Sequence, residues 1–170
     1  VARNIEIKAR AGNLADVLTK AMDLASSAPI EIFQDDTFFR CSNGRLKLRT
    51  FNASEGQLIY YRRADQAGPK ESFYLITATS EPHSLREVLA AANGVLGRVI
   101  KQRTLLMAGR TRIHLDRVQD LGEFVELEVV LREGESADDG IAEAHRLMKH
   151  LGVSAAQLIE GAYLDMLKRQ

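Results

Sequence analysis

The sequence predicts an α+β chain built on an antiparallel sheet that can close as a barrel. Three observations lead there. Runs in which polar and apolar residues alternate recur along the chain, as expected of strands with two unlike faces. Turns rich in Asn and Gly, at 42–44, 52–56, 109 and 122, join neighbouring runs and call for antiparallel pairing. The order is one strand, a helix, about four strands, a helix, three strands and two helices, which disfavours a doubly wound parallel fold. At 170 residues the chain suits one domain over 1–170 with a substantial core.

The first run, Asn4-Ile5-Glu6-Ile7-Lys8-Ala9-Arg10, sets the pattern: Asn4, Glu6, Lys8 and Arg10 on one face, Ile5, Ile7 and Ala9 on the other. Asn13 can cap a helix whose apolar stripe is Leu14, Val17, Leu18, Ala21 and Ala25, ended by Pro29. Ile30–Phe39 reads as a strand kinked at Asp35-Asp36, and Cys41 as a small buried residue. After the Ser42-Asn43-Gly44 turn, Arg45, Lys47 and Arg49 alternate with Leu46, Leu48 and Thr50. Residues 58–63 and 70–75 are further strands around a polar loop at 64–69. A Ser84/Glu87 capping box opens a helix through Leu96 that Gly97 closes. Strands follow at 98–107, 112–116 and 124–131, then a Gly- and acid-rich loop at 133–140. Two helices finish the chain, one carrying Ile141 to Leu151 at helical spacing and one running 154–169 from a Ser154/Gln157 capping box.

Lysine plus arginine equals aspartate plus glutamate, 23 each, so bulk attraction to nucleic acid or an anionic membrane is not expected. A lone cysteine makes an intramolecular disulfide impossible and a cysteine zinc site implausible. The absence of a spanning apolar run and of a secretory core makes the cytoplasm the expected location. Anion affinity must therefore come from arrangement. Lys8, Arg10, Arg45, Lys47, Arg49, Lys70, Lys101, Arg103 and Arg112 fall on the polar faces, with Glu6, Asp116, Glu126 and Glu128 as the acids and His114 beside them. If these faces share one interior, it suits a polyphosphate: Arg and Lys neutralise phosphoryl oxygens, and carboxylates bind a hard cation. The plainer reading is a sheet with one solvated face, and periodicity does not distinguish inward from outward. Glu126 and Glu128, flanking Leu127, suit either a shared metal or cross-strand ion pairs, and His114 reads first as a surface or structural residue.

Asn4-Ile5-Glu6-Ile7-Lys8 resembles the N-terminal Glu-x-Glu-x-Lys signature of the CYTH superfamily, the triphosphate tunnel metalloenzymes. Asp36-Thr-Phe-Phe39, Asn43-Gly-Arg-Leu-Lys-Leu-Arg49 and Val99-Ile-Lys-Gln-Arg103 extend the likeness in family order. The stretch Ile113-His-Leu-Asp-Arg-Val-Gln-Asp-Leu-Gly-Glu-Phe-Val-Glu-Leu-Glu128 is the most specific, and is similar to the class IV adenylyl cyclase branch. The resemblance implies an eight-stranded antiparallel β-barrel forming a tunnel, with helices packed outside. It implies Mg²⁺ or Mn²⁺ on Glu6, Glu126 and Glu128, and a triphosphate on Lys8, Lys47, Arg49, Lys101, Arg103 and Arg112, to which the polar-face pattern adds Lys70. Arg62 or Arg63 supplies a further contact, with the same ambiguity between Tyr60 and Tyr61. Lys8, Arg49 and Arg103 are the expected catalytic cations.

One departure stands out. Asn4 replaces the first signature glutamate, so one negative charge is missing from the metal cluster. The expected function is a metal-dependent triphosphate-processing enzyme, class IV adenylyl cyclase-like, converting ATP to cyclic AMP and pyrophosphate. The alternatives are an organic or inorganic triphosphatase of the same fold and a non-catalytic nucleotide or polyphosphate binder. The expected partner is a nucleoside triphosphate or other triphosphate, without nucleic acid or membrane, and both monomer and homodimer fit.

Overall fold

The structure, a computed structural model, describes residues 2–63 and 67–169. Of the loop expected at 64–69, Ala64, Asp65 and Gln66 lie outside the described residues. Eight strands form one closed antiparallel barrel in the order β1-β5-β4-β3-β2-β6-β7-β8. They are β1 (Ala2–Arg10), β2 (Ile30–Phe39), β3 (Arg45–Asn52), β4 (Glu55–Arg63), β5 (Lys70–Thr79), β6 (Val95–Ala108), β7 (Thr111–Val118) and β8 (Gly122–Val130). Closure leaves no exposed strand edge.

Helices α1 (Leu14–Leu24) and α3 (Ala137–Leu151) decide which strand face is which. Their stripes, Leu14, Val17 and Ala21 on α1 and Ala144, Leu147 and Leu151 on α3, pack on Ile5 and Ile7 of β1, Ile113 and Leu115 of β7, and Val125, Leu127 and Val129 of β8. The main apolar core therefore lies outside the barrel wall. By the two-residue period the polar faces must turn inward. Asn13 caps α1 by accepting from the amides of Ala15 and Asp16.

Four local expectations are corrected. Helix α2 spans Pro82–Asn93 and stops at Gly94, whose φ of 75° favours glycine, so Val95, Leu96 and Gly97 begin β6 instead of ending a helix. Strand β2 runs unbroken through Asp35-Asp36, because Asp36 has cationic partners inside and needs no kink. Helix α3 starts within the expected loop, with Ser136 accepting from the Asp139 amide and Asp138 and Asp139 in its first turn. Cys41 is exposed rather than buried.

The expected helix over 154–169 is not continuous. The Ser154/Gln157 capping box forms, but it closes only a 3₁₀ turn at Ala155–Gln157. Leu158 then bridges to Ala9, the Ile159 amide donates to the Lys8 carbonyl, and Gly161 turns at φ 75° into the short α4 (Tyr163–Leu167). This segment closes one end of the barrel. Tyr163 and Leu164 pack with Phe38, Val99, Val118, Leu121 and Phe124 in a second apolar cluster.

Candidate functional site: the barrel cavity

The barrel encloses a cavity of about 400 Å³, within the ordinary range for small-ligand sites. Seven lysine and arginine side chains line it against four carboxylates, although the whole chain is neutral. The excess of cations marks it as an anion site.

On the β2–β3–β6 wall, Asp36 is the hub. Arg49 donates two hydrogen bonds to it, both 2.8 Å, and Lys47 donates another at 2.8 Å. Lys101 Nζ lies 4.0 Å from Asp36 and 3.9 Å from Asp116. Burial and the neighbouring Arg49 lower the Lys47 pKa to about 8 despite Asp36. Burial and Arg103 likewise hold Lys101 well below the usual lysine range. Asp36 itself is held well below the carboxylate range: burial opposes this, but Arg49 and Lys47 prevail. Burial is the largest cause in both lysines, and a bound anion would favour their charged forms.

The β1–β7–β8 wall carries the acids. Lys8 Nζ is 3.4 Å from Glu126 Oε1, and Arg103 donates to Glu126 Oε2 at 2.7 Å while forking onto Asp116 at 2.7 and 2.6 Å. Burial would lower the Arg103 pKa, but Asp116 and Glu126 raise it well above its ordinary value. Burial lowers Lys8, with Glu126 opposing. Glu6 accepts from Arg63 at 3.0 Å, and Arg112 reaches Glu128 at 3.4 Å. Lys70 is buried opposite Glu6 in register. Arg63 faces inward and Arg62 outward over the Phe73 ring; Tyr61 lines the cavity, while Tyr60 packs edge-on against Phe73.

Sequence reasoning placed Glu6 with Glu126 and Glu128 in a metal set. Among the described residues, one ligand atom each of His114, Glu126 and Glu128 lie within 4.8 Å of one another, while Glu6 accepts from Arg63 as Glu126 does from Arg103. His114 Nδ1 is buried and without a hydrogen-bond partner among the described residues, as is Asn4 Oδ1 on the same cavity wall. Two carboxylates and an orphaned imidazole nitrogen are a donor set that fits a divalent cation.

Two further residues escaped the sequence reading. Asp36 reads in sequence as part of a kink, and its signal is the parity it shares with Gln34 and Phe38. Tyr163, within the stretch expected to be helical over 154–169, is buried at the start of α4, where its hydroxyl donates to Asp116 at 2.9 Å and its ring lies 3.9 Å from Lys8 Nζ. The closed end is held by Arg63 donating to the Gly161 carbonyl at 2.7 Å and by the Arg45–Asp165 pair at 2.7 Å. At the other end of the same strands, Ile32, Phe51, Ile76 and Leu105 form an apolar rim, with Ile76 half exposed.

Solved structures share this architecture. The PH1012 protein of Pyrococcus horikoshii OT3 matches with TM-score 0.84 and 23% identity, over 95% of this chain and 98% of that one. A candidate adenylate cyclase from Vibrio parahaemolyticus matches with TM-score 0.74 and 18% identity, over 97% of each chain. The Hippeastrum protein HpAC1, a candidate adenylyl cyclase described as having a dominant triphosphatase activity, matches with TM-score 0.67 and 15% identity over 98% and 95%. No curated protein sequence matches the chain. At these identities the likenesses establish the fold. No helix among the described residues is long and apolar enough to cross a membrane. The sequence profile of the CYTH domain matches residues 2–163, nearly the whole chain, and with the closed barrel and its inward-facing cations this chain belongs to the CYTH family.

Proposed function

We propose that the cavity holds a triphosphate and that the chain cleaves one of its phosphoanhydride bonds, acting on ATP to give cyclic AMP and pyrophosphate. The observation that carries this reading is the inward-facing row of Lys47, Arg49 and Lys101 opposite the His114–Glu126–Glu128 group in one cavity. Phosphoryl oxygens would replace solvent on the row, with Arg49 turning its fork from Asp36 toward the ligand. In the cyclising step the oxygen of the ribose 3′-hydroxyl bonds the α-phosphorus and gives up its proton to solvent, and the bond from that phosphorus to the bridging oxygen breaks. Pyrophosphate leaves with the electron pair. Lys8 and Arg103 are already fixed by ion pairs, so they stabilise the developing charge without reorganising, and Arg49 joins them once its fork has turned. Glu126, Glu128 and His114 would hold a divalent ion, which would supply further neutralisation of phosphoryl charge.

The apolar rim of Ile32, Phe51, Ile76 and Leu105 lies at the open end, where the organic part of a substrate would rest. It favours an organic triphosphate over an inorganic one. Hydrolysis of such a triphosphate is the second reading, favoured by the triphosphatase activity described for the Hippeastrum fold neighbour. In the test, purified protein with Mn²⁺ is given ATP or tripolyphosphate, and cyclic AMP, pyrophosphate and phosphate are resolved. Cyclic AMP with pyrophosphate supports the first reading, and phosphate release the second. Thermal stabilisation by tripolyphosphate without either product would identify a binder whose catalysis Asn4 has weakened. No product and no stabilisation would defeat the proposal.

A further inference from the structure

We infer that the metal site of this barrel is a mixed nitrogen–oxygen site centred on His114, selective for a transition ion such as Mn²⁺ or Co²⁺ over Mg²⁺. The inference deepens the metal part of the function proposed above and is tested without substrate.

His114 is 3% exposed, on β7, opposite Glu126 of β8 and Leu105 of β6. Its Nδ1 lies 3.6 Å from Glu126 Oε2 and 3.8 Å from Glu128 Oε1. Both gaps are too long for hydrogen bonds, and the nitrogen has no other partner among the described residues. Leaving a buried nitrogen unsatisfied is costly, so a group that satisfies it should belong there. Donors bound to one ion at about 2.1 Å sit roughly 3 Å apart, so a small closing movement of three side chains would make a first coordination shell.

The rest of the cavity narrows the choice of ion. The signature strand offers a neutral Asn4 where a carboxylate would enrich the site in oxygen, and its Glu6 lies outside the compact group formed by His114, Glu126 and Glu128. What that group offers an ion is two carboxylates and an imidazole. Mg²⁺ takes oxygen ligands in a strict octahedron and keeps its waters, whereas imidazole suits transition ions and raises affinity along the Irving–Williams order. Lys8 and Arg103 on Glu126 and Arg112 on Glu128 compete for the same oxygens. Each carboxylate has about four lone-pair sites, so an ion and a cationic side chain can share one. The competing account is that His114 carries a proton and bridges the two carboxylates as a cation.

The two accounts separate on ion binding. The metal-stripped full chain is titrated with Co²⁺, Mn²⁺ and Mg²⁺, reading Co²⁺ d–d absorption, the EPR signal of free Mn²⁺ and Mg²⁺ calorimetry. The expected result is Co²⁺ and Mn²⁺ binding at least about tenfold tighter than Mg²⁺. His114→Ala should lose about tenfold in Co²⁺ affinity while Mg²⁺ changes by less than about threefold. Should that variant fail to fold, pulsed EPR of the wild-type Mn²⁺ complex still reads nitrogen coupling directly. Equal affinity for Mg²⁺ and Co²⁺, an unchanged His114→Ala variant, or a Mn²⁺ complex without nitrogen coupling each overturns the inference. Tripolyphosphate binding in EDTA, measured alongside, reports on the cationic row, so the metal inference can fail while triphosphate binding stands.

Discussion

The two walls of the cavity solve the same electrostatic problem in opposite ways. On the β2–β3–β6 wall one carboxylate, Asp36, anchors Lys47 and Arg49 with Lys101 at its margin, so cations outnumber their counter-charge. On the β1–β7–β8 wall the acids Glu126, Glu128 and Asp116 are each matched by Lys8, Arg103 or Arg112. Buried ions need partners, and truncating one partner of such a pair costs more than the pair itself contributes. The first wall is thus left wanting an anion, while the second can admit a cation only by sharing oxygens. A metal–triphosphate lying between them would meet both needs at once.

Breaking the hub should have the largest effect. Asp36→Ala leaves Lys47 and Arg49 without their acid, and we expect a loss of about 3–5 kcal/mol in denaturant unfolding, partly restored by added tripolyphosphate. Unchanged stability would show that the wall needs no counter-charge. Arg49→Ala should weaken tripolyphosphate binding by about 1.5–3 kcal/mol in calorimetry, with Arg49→Lys recovering little because a fork is lost. If binding holds while the melting temperature falls, Arg49 is only a structural partner of Asp36.

The Lys47 pKa of about 8 gives a pH dependence of defined sign. Anion binding needs the charged amine, so tripolyphosphate affinity should fall as pH rises from 7 to 9, by up to about tenfold, with Lys47→Arg flattening the profile. Stability runs the other way. The folded pKa lies below the unfolded one, so between about pH 8 and the ordinary lysine value of 10.5 the unfolded chain binds more protons, and the Lys47 contribution to stability rises with pH. The smallest effect is expected at the closed end. Tyr163→Phe removes one buried hydrogen bond to Asp116 and should cost about 1 kcal/mol in thermal unfolding while the ring stays on Lys8. A larger loss would mean that the hydroxyl, rather than ring packing, holds the plug.

How far the site could be read from sequence differs between the walls in the same way. The acidic wall is contiguous: 113–128 holds His114, Asp116, Glu126 and Glu128 on two neighbouring strands, and their shared parity is visible in the chain. What stayed hidden was that Glu6 accepts from Arg63, 57 residues away, and that the ligand atoms of His114 lie close to those of Glu126 and Glu128. The basic wall is assembled across long separations. Asp36 had the look of an interruption in an apolar strand until register placed it opposite Arg49, and only fold geometry shows Arg63 inward and Arg62 outward. The C-terminal segment misled for a local reason. Its capping box and apolar spacing suit a helix, but Gly161 at positive φ and the pairing of Leu158 with Ala9 win, because they let Tyr163 fill the barrel end.

The sequence by itself determined the period of most strands and the Asn- and Gly-rich turns between them, along with the residue types crowded onto the polar faces. It also carried the signature with its Asn4 departure. Those are local properties, written in alternation and turn chemistry. Only the tertiary structure decided that the polar faces turn inward, because an alternating strand has two faces and nothing local says which one a helix will cover. Once α1 and α3 bury Ile5, Ile7, Val125 and Leu127 outside the wall, Lys8, Arg103, Glu126 and His114 have nowhere to go but the cavity.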